Sequence, residues 1–294
     1  MVRKAGVAPV LKACLAAVFL VCLVFAGDAR IDQALKLYNT TDFEESLKIL
    51  QAVPDKTGPV YSLIGRDYYM LSDYKRATES LEKAVADEPG NPVYYLWLAR
   101  AYGRRAETSS PFTAPGNASK ARQNFEKAVQ LNPHDVDALN DLFEYYLEAP
   151  GFLGGGLDKA QATAQRIAAV NPSEGHWAQA KLAEKRKEFG SAEEHLRNAI
   201  SAAPQQVGKF IDLARFLAKQ GRYQESDQSL ERAEKIAPDS PKLMYARADL
   251  YIQTGRHLDV AQQLLVKYMK SSALTPDDPP RSDAAKLLRR VRGS

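Results

Sequence analysis

Arginine and aromatic side chains recur at matching places in two neighbouring stretches of this chain. One stretch carries Arg66 and Tyr69, and the next carries Trp97, Arg100 and Arg104. A guanidinium can bind a carboxylate through two parallel hydrogen bonds, and arginine beside tyrosine and tryptophan is typical of residues that anchor protein interfaces. The pattern predicts a surface that binds a protein or peptide. The alternative is a solvated face on which long basic side chains cover apolar neighbours.

The charge pattern beyond these residues alternates along the chain. The acidic positions that follow are Asp137, Asp141, Glu144 and Glu148, and the basic positions after them are Lys181, Lys185, Arg215 and Lys219. A groove lined by these residues would be banded plus, minus, plus. Such a groove favours a ligand of mixed charge over a polyanion.

Catalytic and cofactor chemistry has little support in the sequence. The four histidines, His134, His176, His195 and His257, show no metal-ligand spacing. The glycine run at residues 154–156 lacks the Gly-Lys-Ser/Thr of a phosphate-binding loop. No Gly-x-Ser-x-Gly nucleophile elbow is present, and no catalytic pair stands out from 36 acidic residues. We therefore predict no enzymatic activity, no cofactor and no metal.

The first 26 residues have the order of a secretory signal peptide. A basic start is followed by an apolar run at residues 13–25 and by small residues that suit cleavage after Ala26 or Ala29. The apolar run is shorter than the ~20 residues that span a bilayer, although an uncleaved anchor is an alternative. Both cysteines, Cys14 and Cys22, lie in this segment. We expect an exported protein, periplasmic or secreted, that meets a membrane only through an uncleaved leader.

The rest of the chain is almost neutral. Removing the leader leaves 37 basic against 36 acidic residues. This balance gives no reason to expect nucleic acid or an anionic membrane as a partner. A composition of 45% hydrophobic and 26% charged residues is typical of a folded protein.

An order of large and small residues returns along the chain. It is large, large, small, large, then small, large, small and proline, as in Tyr95, Leu98, Ala99, Tyr102, Ala121, Phe125, Ala128 and Pro133. The small residues Ala180, Ala214 and Ala248 are 34 residues apart. In both order and period the chain resembles the tetratricopeptide repeat family. The resemblance covers residues 27–280, nearly all of the mature chain.

This resemblance implies an all-α fold, a right-handed α-solenoid superhelix of helix hairpins. We interpret the chain as about seven repeats, at residues 27–57, 58–91, 92–135, 136–172, 173–206, 207–240 and 241–279. Small residues such as Gly65 and Ala77 are expected where two helices cross closely, because a leucine there would overpack the crossing. One hairpin cannot bury its own apolar face, so the hairpins must stack.

Residues 281–294 follow a proline-rich segment and are predicted to form a capping helix. Ser282 can cap its start, and its apolar positions are Ala285, Leu287, Leu288 and Val291. A solenoid needs such a polar-faced terminal helix. A tail that binds a membrane or nucleic acid is the alternative.

Two insertions interrupt the period in consecutive repeats, at residues 104–119 and 149–157. Both lie between the two helices of their repeat, so we expect them to meet on one edge of the stack. Insertions of this kind often mark a binding face. Phe112, Phe152 and Leu153 lie in these segments. They either pack back onto the helices or form an exposed apolar rim for a partner.

The resemblance implies a non-catalytic scaffold that binds a protein or peptide, in the concave groove or at the edge formed by the insertions. With the leader, we expect it in the cell envelope or periplasm. The alternative is a ligand-handling subunit of an extracytoplasmic solute transport system. Some tetratricopeptide proteins that serve such transporters resemble this arrangement. The Lys/Asn carboxylate clamp of chaperone-binding members does not appear. The candidate partner-binding residues are Arg66, Tyr69, Trp97, Arg100, Arg104, Phe112 and Phe152.

Overall fold

The fold is built entirely from helices over the part of the chain that can be described. A computed structural model describes residues 29–293, and this range contains fifteen α-helices, one short 3-10 helix and no β-strand. The predicted all-α solenoid is therefore confirmed. The leader predicted at residues 1–26 lies outside the described residues.

The helices follow one another in seven pairs. The first helices of the pairs are α1 (29–39), α3 (Gly58–Met70), α5 (Pro92–Thr108), α7 (Val136–Glu148), α9 (Pro172–Lys185), α11 (Val207–Lys219) and α13 (Pro241–Thr254). Their partners are α2 (Phe43–Gln51), α4 (Tyr74–Asp87), α6 (Ala114–Leu131), α8 (Leu157–Val170), α10 (Phe189–Ala202), α12 (Tyr223–Ile236) and α14 (Leu258–Lys270). The last helix is α15 (Arg281–Arg292).

Polar caps and prolines set where many first helices begin. Asn91, Asp135 and Ser240 each accept a hydrogen bond from a backbone N–H in the first turn of the helix that follows. Such caps satisfy amides that have no partner within the helix. Proline occupies the first helical position of α5, α9 and α13, where no backbone donor is needed. These short signals divide a long helical chain into hairpins.

Small residues allow the two helices of a pair to approach closely. A Cβ atom added to Gly65 on α3 would lie 2.5 Å from Leu81 Cγ on α4. Ala77, on the same helix as Leu81, has no exposed surface. The close crossing expected at Gly65 is present, and a larger side chain there would force the helices apart.

First helices also contact one another from pair to pair. Among the described residues, α3 contacts α5, α7 contacts α9, and α11 contacts α13. Ion pairs join the helices between these contacts, Arg100–Asp141 from α5 to α7 and Glu174–Lys209 from α9 to α11, so the first helices form one layer that lines the groove. No helix in the described range is both long and apolar enough to span a membrane.

The last helix caps the stack by packing on α13 and α14. Ala284 and Leu287 are buried in a cluster with Leu265 and Tyr268. The predicted Ser282 cap is wrong, because α15 begins at Arg281 with Pro280 in the cap position and no side-chain cap bond. Proline supplies the fixed backbone angle that starts the helix instead.

The two insertions differ in structure. Most of residues 104–119 extends α5 and α6 to 17 and 18 residues, which leaves only residues 109–113 between the helices. Residues 149–157 form a compact loop around a single 3-10 turn, Gly151–Leu153. Gly154 has φ 86°, a conformation that favours glycine, and the Gly156 amide donates to the Tyr146 carbonyl at 2.8 Å.

Candidate functional site

Trp97 is the centre of an arginine and aromatic cluster on the groove face. The guanidinium carbons of Arg66 and Arg100 lie 4.8 Å and 5.0 Å from the centre of its ring. Tyr69 meets the same ring edge-on, with 5.5 Å between ring centres. Cations within about 6 Å of an indole are attracted by its ring quadrupole. Four of the candidate residues from α3 and α5 are thus brought together.

Arg66 stabilises this cluster from one side. Its guanidinium also lies 4.4 Å from the ring centre of Tyr38 on α1, and its Nε donates to the Tyr38 hydroxyl at 3.3 Å. Among residues 29–293 no carboxylate forms an ion pair with it. The Arg66 guanidinium lies between the rings of Tyr38 and Trp97 and therefore restricts the position of the Trp97 ring.

Arg100 and Arg104 already have partners inside the chain. Arg100 Nε donates to Asp141 Oδ2 at 2.5 Å, across from α5 to α7. Arg104 pairs with Glu107 at 2.5 Å and donates to the Tyr74 hydroxyl at 3.2 Å. Burial raises the pKa of Asp141, and contact with Arg100 opposes that shift. A ligand carboxylate would have to compete with these pairs.

The predicted charge bands are neutralised between neighbouring pairs. Glu148 on α7 pairs with Lys185 on α9 at 2.7 Å, and Glu184 on α9 pairs with Lys219 on α11 at 3.3 Å. Each pair joins successive first helices. These half-exposed ion pairs contribute little stability, but they leave less unpaired charge on the groove than the sequence pattern indicates.

Two adjoining cavities open on this face. The larger, about 790 Å³, is lined on one side by Tyr69, Trp97, Arg100 and Arg104, and on the other by Lys242, Tyr245 and residues 276–280. We call it the polar cavity. The smaller, about 510 Å³, shares Tyr69, Arg100, Arg104 and Asp141 with it. We call it the apolar cavity, because Ala106, Ala118, Phe125, Pro150 and Leu153 also line it, together with the carboxylates of Glu107, Glu144 and Glu148. Both volumes fall within the range of ligand pockets.

The apolar cavity brings the two insertions together. Ala106 and Ala118 come from the first insertion, and Pro150 and Leu153 from the second. The Tyr145 hydroxyl donates to the Leu153 carbonyl at 2.9 Å and holds the second loop against α7. The insertions therefore build one wall together.

Phe112 and Phe152 do not pack back onto the helices. Their side chains are 96% and 82% exposed, and neither lines the two cavities. Leu153, next to Phe152 in sequence, is half-buried and faces the apolar cavity. The loop thus presents one apolar side chain to solvent and the next to the groove.

Three parts of this site were not predicted from sequence. Tyr38 belongs to the degenerate first repeat, and Tyr74 begins a second helix. Tyr74 occupies the same helix-start position as Phe43, Phe189 and Tyr223, so alignment of the repeats could have identified it. Residues 276–280 reach the groove only through the curvature of the whole stack, for which no local pattern exists.

Two histidines that are distant in sequence are close in the structure. His176 on α9 and His195 on α10 approach to 3.2 Å between their Nδ1 atoms. Burial, and secondarily the field of His195, lower the pKa of His176. Within residues 29–293 no cluster of three or more His, Cys, Asp or Glu side chains has metal-binding geometry.

Comparisons with known proteins agree with this architecture. A tetratricopeptide repeat family model matches residues 211–265. Tetratricopeptide repeat protein 37 of Xenopus laevis is 24% identical over 214 residues, 71% of this chain but only 13% of that protein. The crystal structure of a tetratricopeptide repeat protein from Parabacteroides merdae ATCC 43184 is 15% identical. It superposes with a TM-score of 0.56 over 90% of this chain and 98% of the other.

Repeated helix hairpins with an open inner face define the chain as an α-solenoid. Residues 211–265 match the tetratricopeptide repeat family, and the fold of the described residues is similar to that of a tetratricopeptide repeat protein. Repeats of this family are generally non-catalytic scaffolds that mediate protein–protein interaction.

Proposed function

We propose that this protein is a non-catalytic scaffold that binds a protein or peptide segment in its groove, across the polar and apolar cavities. The observation that carries the proposal is the joining of these cavities at Tyr69, Arg100, Arg104 and Asp141. The shared residues are polar or aromatic, and the apolar cavity extends from them. An extended peptide could place its backbone along the shared residues and one apolar side chain in the apolar cavity.

The internal ion pairs determine which partner fits. Arg100 and Asp141 present a paired plus and minus charge beside the Trp97 ring. A segment of mixed charge can pair with both signs, whereas a strongly acidic segment is disfavoured, because Asp137, Asp277, Asp278 and Asp283 also line the polar cavity. The apolar side chain then supplies most of the affinity, as buried anchors do in other interfaces.

Adjacent loop residues provide the test. A photo-crosslinking residue at Tyr69 first identifies the partner, and its dissociation constant is then measured by titration calorimetry. We expect Leu153→Asp to weaken binding about 30-fold, since a loss of ~2 kcal/mol is typical at an interface anchor. Phe152→Asp is the matched control and should leave affinity within twofold. If Phe152→Asp weakened binding and Leu153→Asp did not, the partner would bind the exposed loop edge that includes Phe112. The proposal that it binds in the groove would then be wrong.

We also propose that the scaffold acts outside the cytoplasm, in the envelope or periplasm. The support is the charge and hydrophobicity order of residues 1–26. N-terminal sequencing of the protein recovered from its own cells should begin at Gly27, or at Arg30 if the second cleavage position is used. A chain that retains Met1 and fractionates with cytosolic proteins would contradict this proposal.

A further inference from the structure

Residues 274–281, the end of the segment after α14 together with the first residue of α15, fold back across the mouth of the groove. Leu274 is buried at its start. The Thr275 amide and hydroxyl both donate to Asp278 Oδ2, at 2.9 Å and 3.0 Å. The Tyr268 hydroxyl donates to the Pro279 carbonyl. With prolines fixing φ at three positions, this segment is held in one shape on the C-terminal helices.

Its last residue reaches the other end of the molecule. Arg281 donates through one nitrogen to the Thr41 hydroxyl at 2.5 Å and through another to the Ser271 carbonyl at 2.9 Å. Thr41 lies in the turn between α1 and α2, 240 positions away in sequence. It has φ 64°, which is unfavourable for a β-branched residue. The first and last parts of the solenoid are therefore joined directly.

The same segment closes one side of the groove. Residues 276–280 face Tyr69 and Trp97 across the polar cavity. A third cavity, about 410 Å³, separates the segment from Phe43, Met70 and Leu71 at the N-terminal end. The segment therefore lies over the groove mouth and touches the N-terminal pairs at few points.

We propose that residues 274–281 are an intramolecular clasp, which binds the α1–α2 turn through Arg281 and Thr41 and covers the groove until it opens for a partner. The segment that binds the α1–α2 turn is thus the chain's own C-terminal segment. The existence of the clasp stands on the contacts above. Its effect on partner entry rests on the proposed function.

The contact has the strength expected of a reversible clasp. A cavity of about 410 Å³ lies between Leu274 and Phe43, and the hydrogen bond from Arg281 to Thr41 joins the two ends beside it. A hydrogen bond from a charged donor then favours the closed state roughly ten- to a hundredfold. A solenoid bends through small changes at many interfaces, so the ends can separate without unfolding.

The test removes one hydroxyl and measures closure without a partner. Trp97 is the reporter, in a full-length chain carrying Trp177→Phe, Cys14→Ser and Cys22→Ser. Thr41→Val deletes the acceptor but keeps the shape and leaves the Arg281 bond to Ser271. We expect acrylamide quenching of Trp97 to rise about twofold. Spin labels at Glu44 and Ser282 should show a longer, broader distance distribution. The Thr40 hydroxyl donates to the Lys36 and Leu37 carbonyls of α1, so Thr40→Val should change neither.

A second variant shows whether the effect of Thr41→Val comes from the lost hydrogen bond or from misfolding of the α1–α2 turn. Arg281→Met removes the donor from the other side, together with the bond to the Ser271 carbonyl, and should reproduce the effect of Thr41→Val on quenching and distance. Unchanged quenching and distance in both variants would overturn the clasp. Once a groove partner is identified, Thr41→Val should raise its association rate roughly tenfold, and an unchanged rate would overturn the covering role. If no partner binds the groove, the proposed function fails, while quenching and distance still decide the clasp.

Discussion

Replacing Asp67 by asparagine should remove most of the dependence of stability on pH between about pH 5 and pH 8. Asp67 lies on α3 with no exposed surface. Ser46 on α2 donates to its Oδ2 at 2.8 Å, and its Oδ1 has no hydrogen-bond partner. A charge buried with so few partners is costly, so the carboxyl group is kept neutral in the folded protein.

The direction of the pH effect follows from this burial. Desolvation raises the pKa of Asp67 from 3.8 to about 8, although the Ser46 bond and the Arg66 charge oppose the shift and Glu44 adds to it. Because the folded pKa is raised, the stabilising effect of the neutral carboxyl is complete below about pH 4. It is lost as the pH rises towards 8, because the unfolded chain ionises first. Above pH 8 both states are ionised and the slope ends.

The measurement is thermal and chemical unfolding of both proteins at pH 5 and pH 8. One pH unit in this window removes up to about 1.4 kcal/mol. We therefore expect the stability difference to shift in favour of Asp67→Asn by about 2–4 kcal/mol over the window. Ser46→Ala is the companion variant. Loss of its hydrogen bond should extend the pH-dependent window upwards. Equal slopes for wild type and Asp67→Asn would show that this carboxyl is ionised in the fold.

When the repeats are aligned with one another, Asp67 is the unusual residue at its position. The equivalent positions after the arginine are Ala101 in the third repeat and Phe216 in the sixth, both buried. An aspartate at a position that is otherwise apolar and buried is a local conflict, and such conflicts often mark functional or strained sites. Sequence reasoning found the arginine, Arg66, and overlooked its neighbour.

The fold was predictable because repeat period and residue size both constrain helix crossings. Ala180, Ala214 and Ala248, each 34 residues from the next, have no exposed surface. Only a small residue fits where two helices approach so closely. This constraint acts between neighbouring helices, so a linear pattern records it.

The site was predictable only in part, because its contacts join residues from different repeats. Helical spacing predicts the aromatic and arginine residues on one face, and the structure brings Arg66, Tyr69, Trp97 and Arg100 together there, whereas their role in binding stays a prediction. Their pairing was not, because the bond from Arg100 to Asp141 depends on the angle and offset between α5 and α7. The return of residues 276–280 depends on the summed rotation of seven helix pairs, which no single repeat specifies.

A side chain added within the glycine run at residues 154–156 should destabilise the protein and disturb one wall of the groove. A Cβ atom added to Gly155 would lie 1.9 Å from the Ala149 carbonyl oxygen and 2.6 Å from its carbon. Neither is a flexible side-chain atom, so the loop backbone must move. We expect Gly155→Ala to cost about 2–3 kcal/mol of stability. It should also displace Pro150 and Leu153 from the apolar cavity.

Gly151, four residues earlier in the same loop, is the matched control. A Cβ atom there would meet nothing within 4 Å, so Gly151→Ala should leave stability within ~0.5 kcal/mol. Hydrogen exchange of the Gly156 amide, which donates to the Tyr146 carbonyl, reports the loop directly. Exchange should become at least about tenfold faster in Gly155→Ala only, because the close packing at Ala149 holds this bond in place. Equal exchange in both variants would mean that the loop tolerates a side chain at Gly155. The apolar cavity would then have a mobile wall, and affinity for an apolar anchor would have to come from α5, α6 and α7 alone.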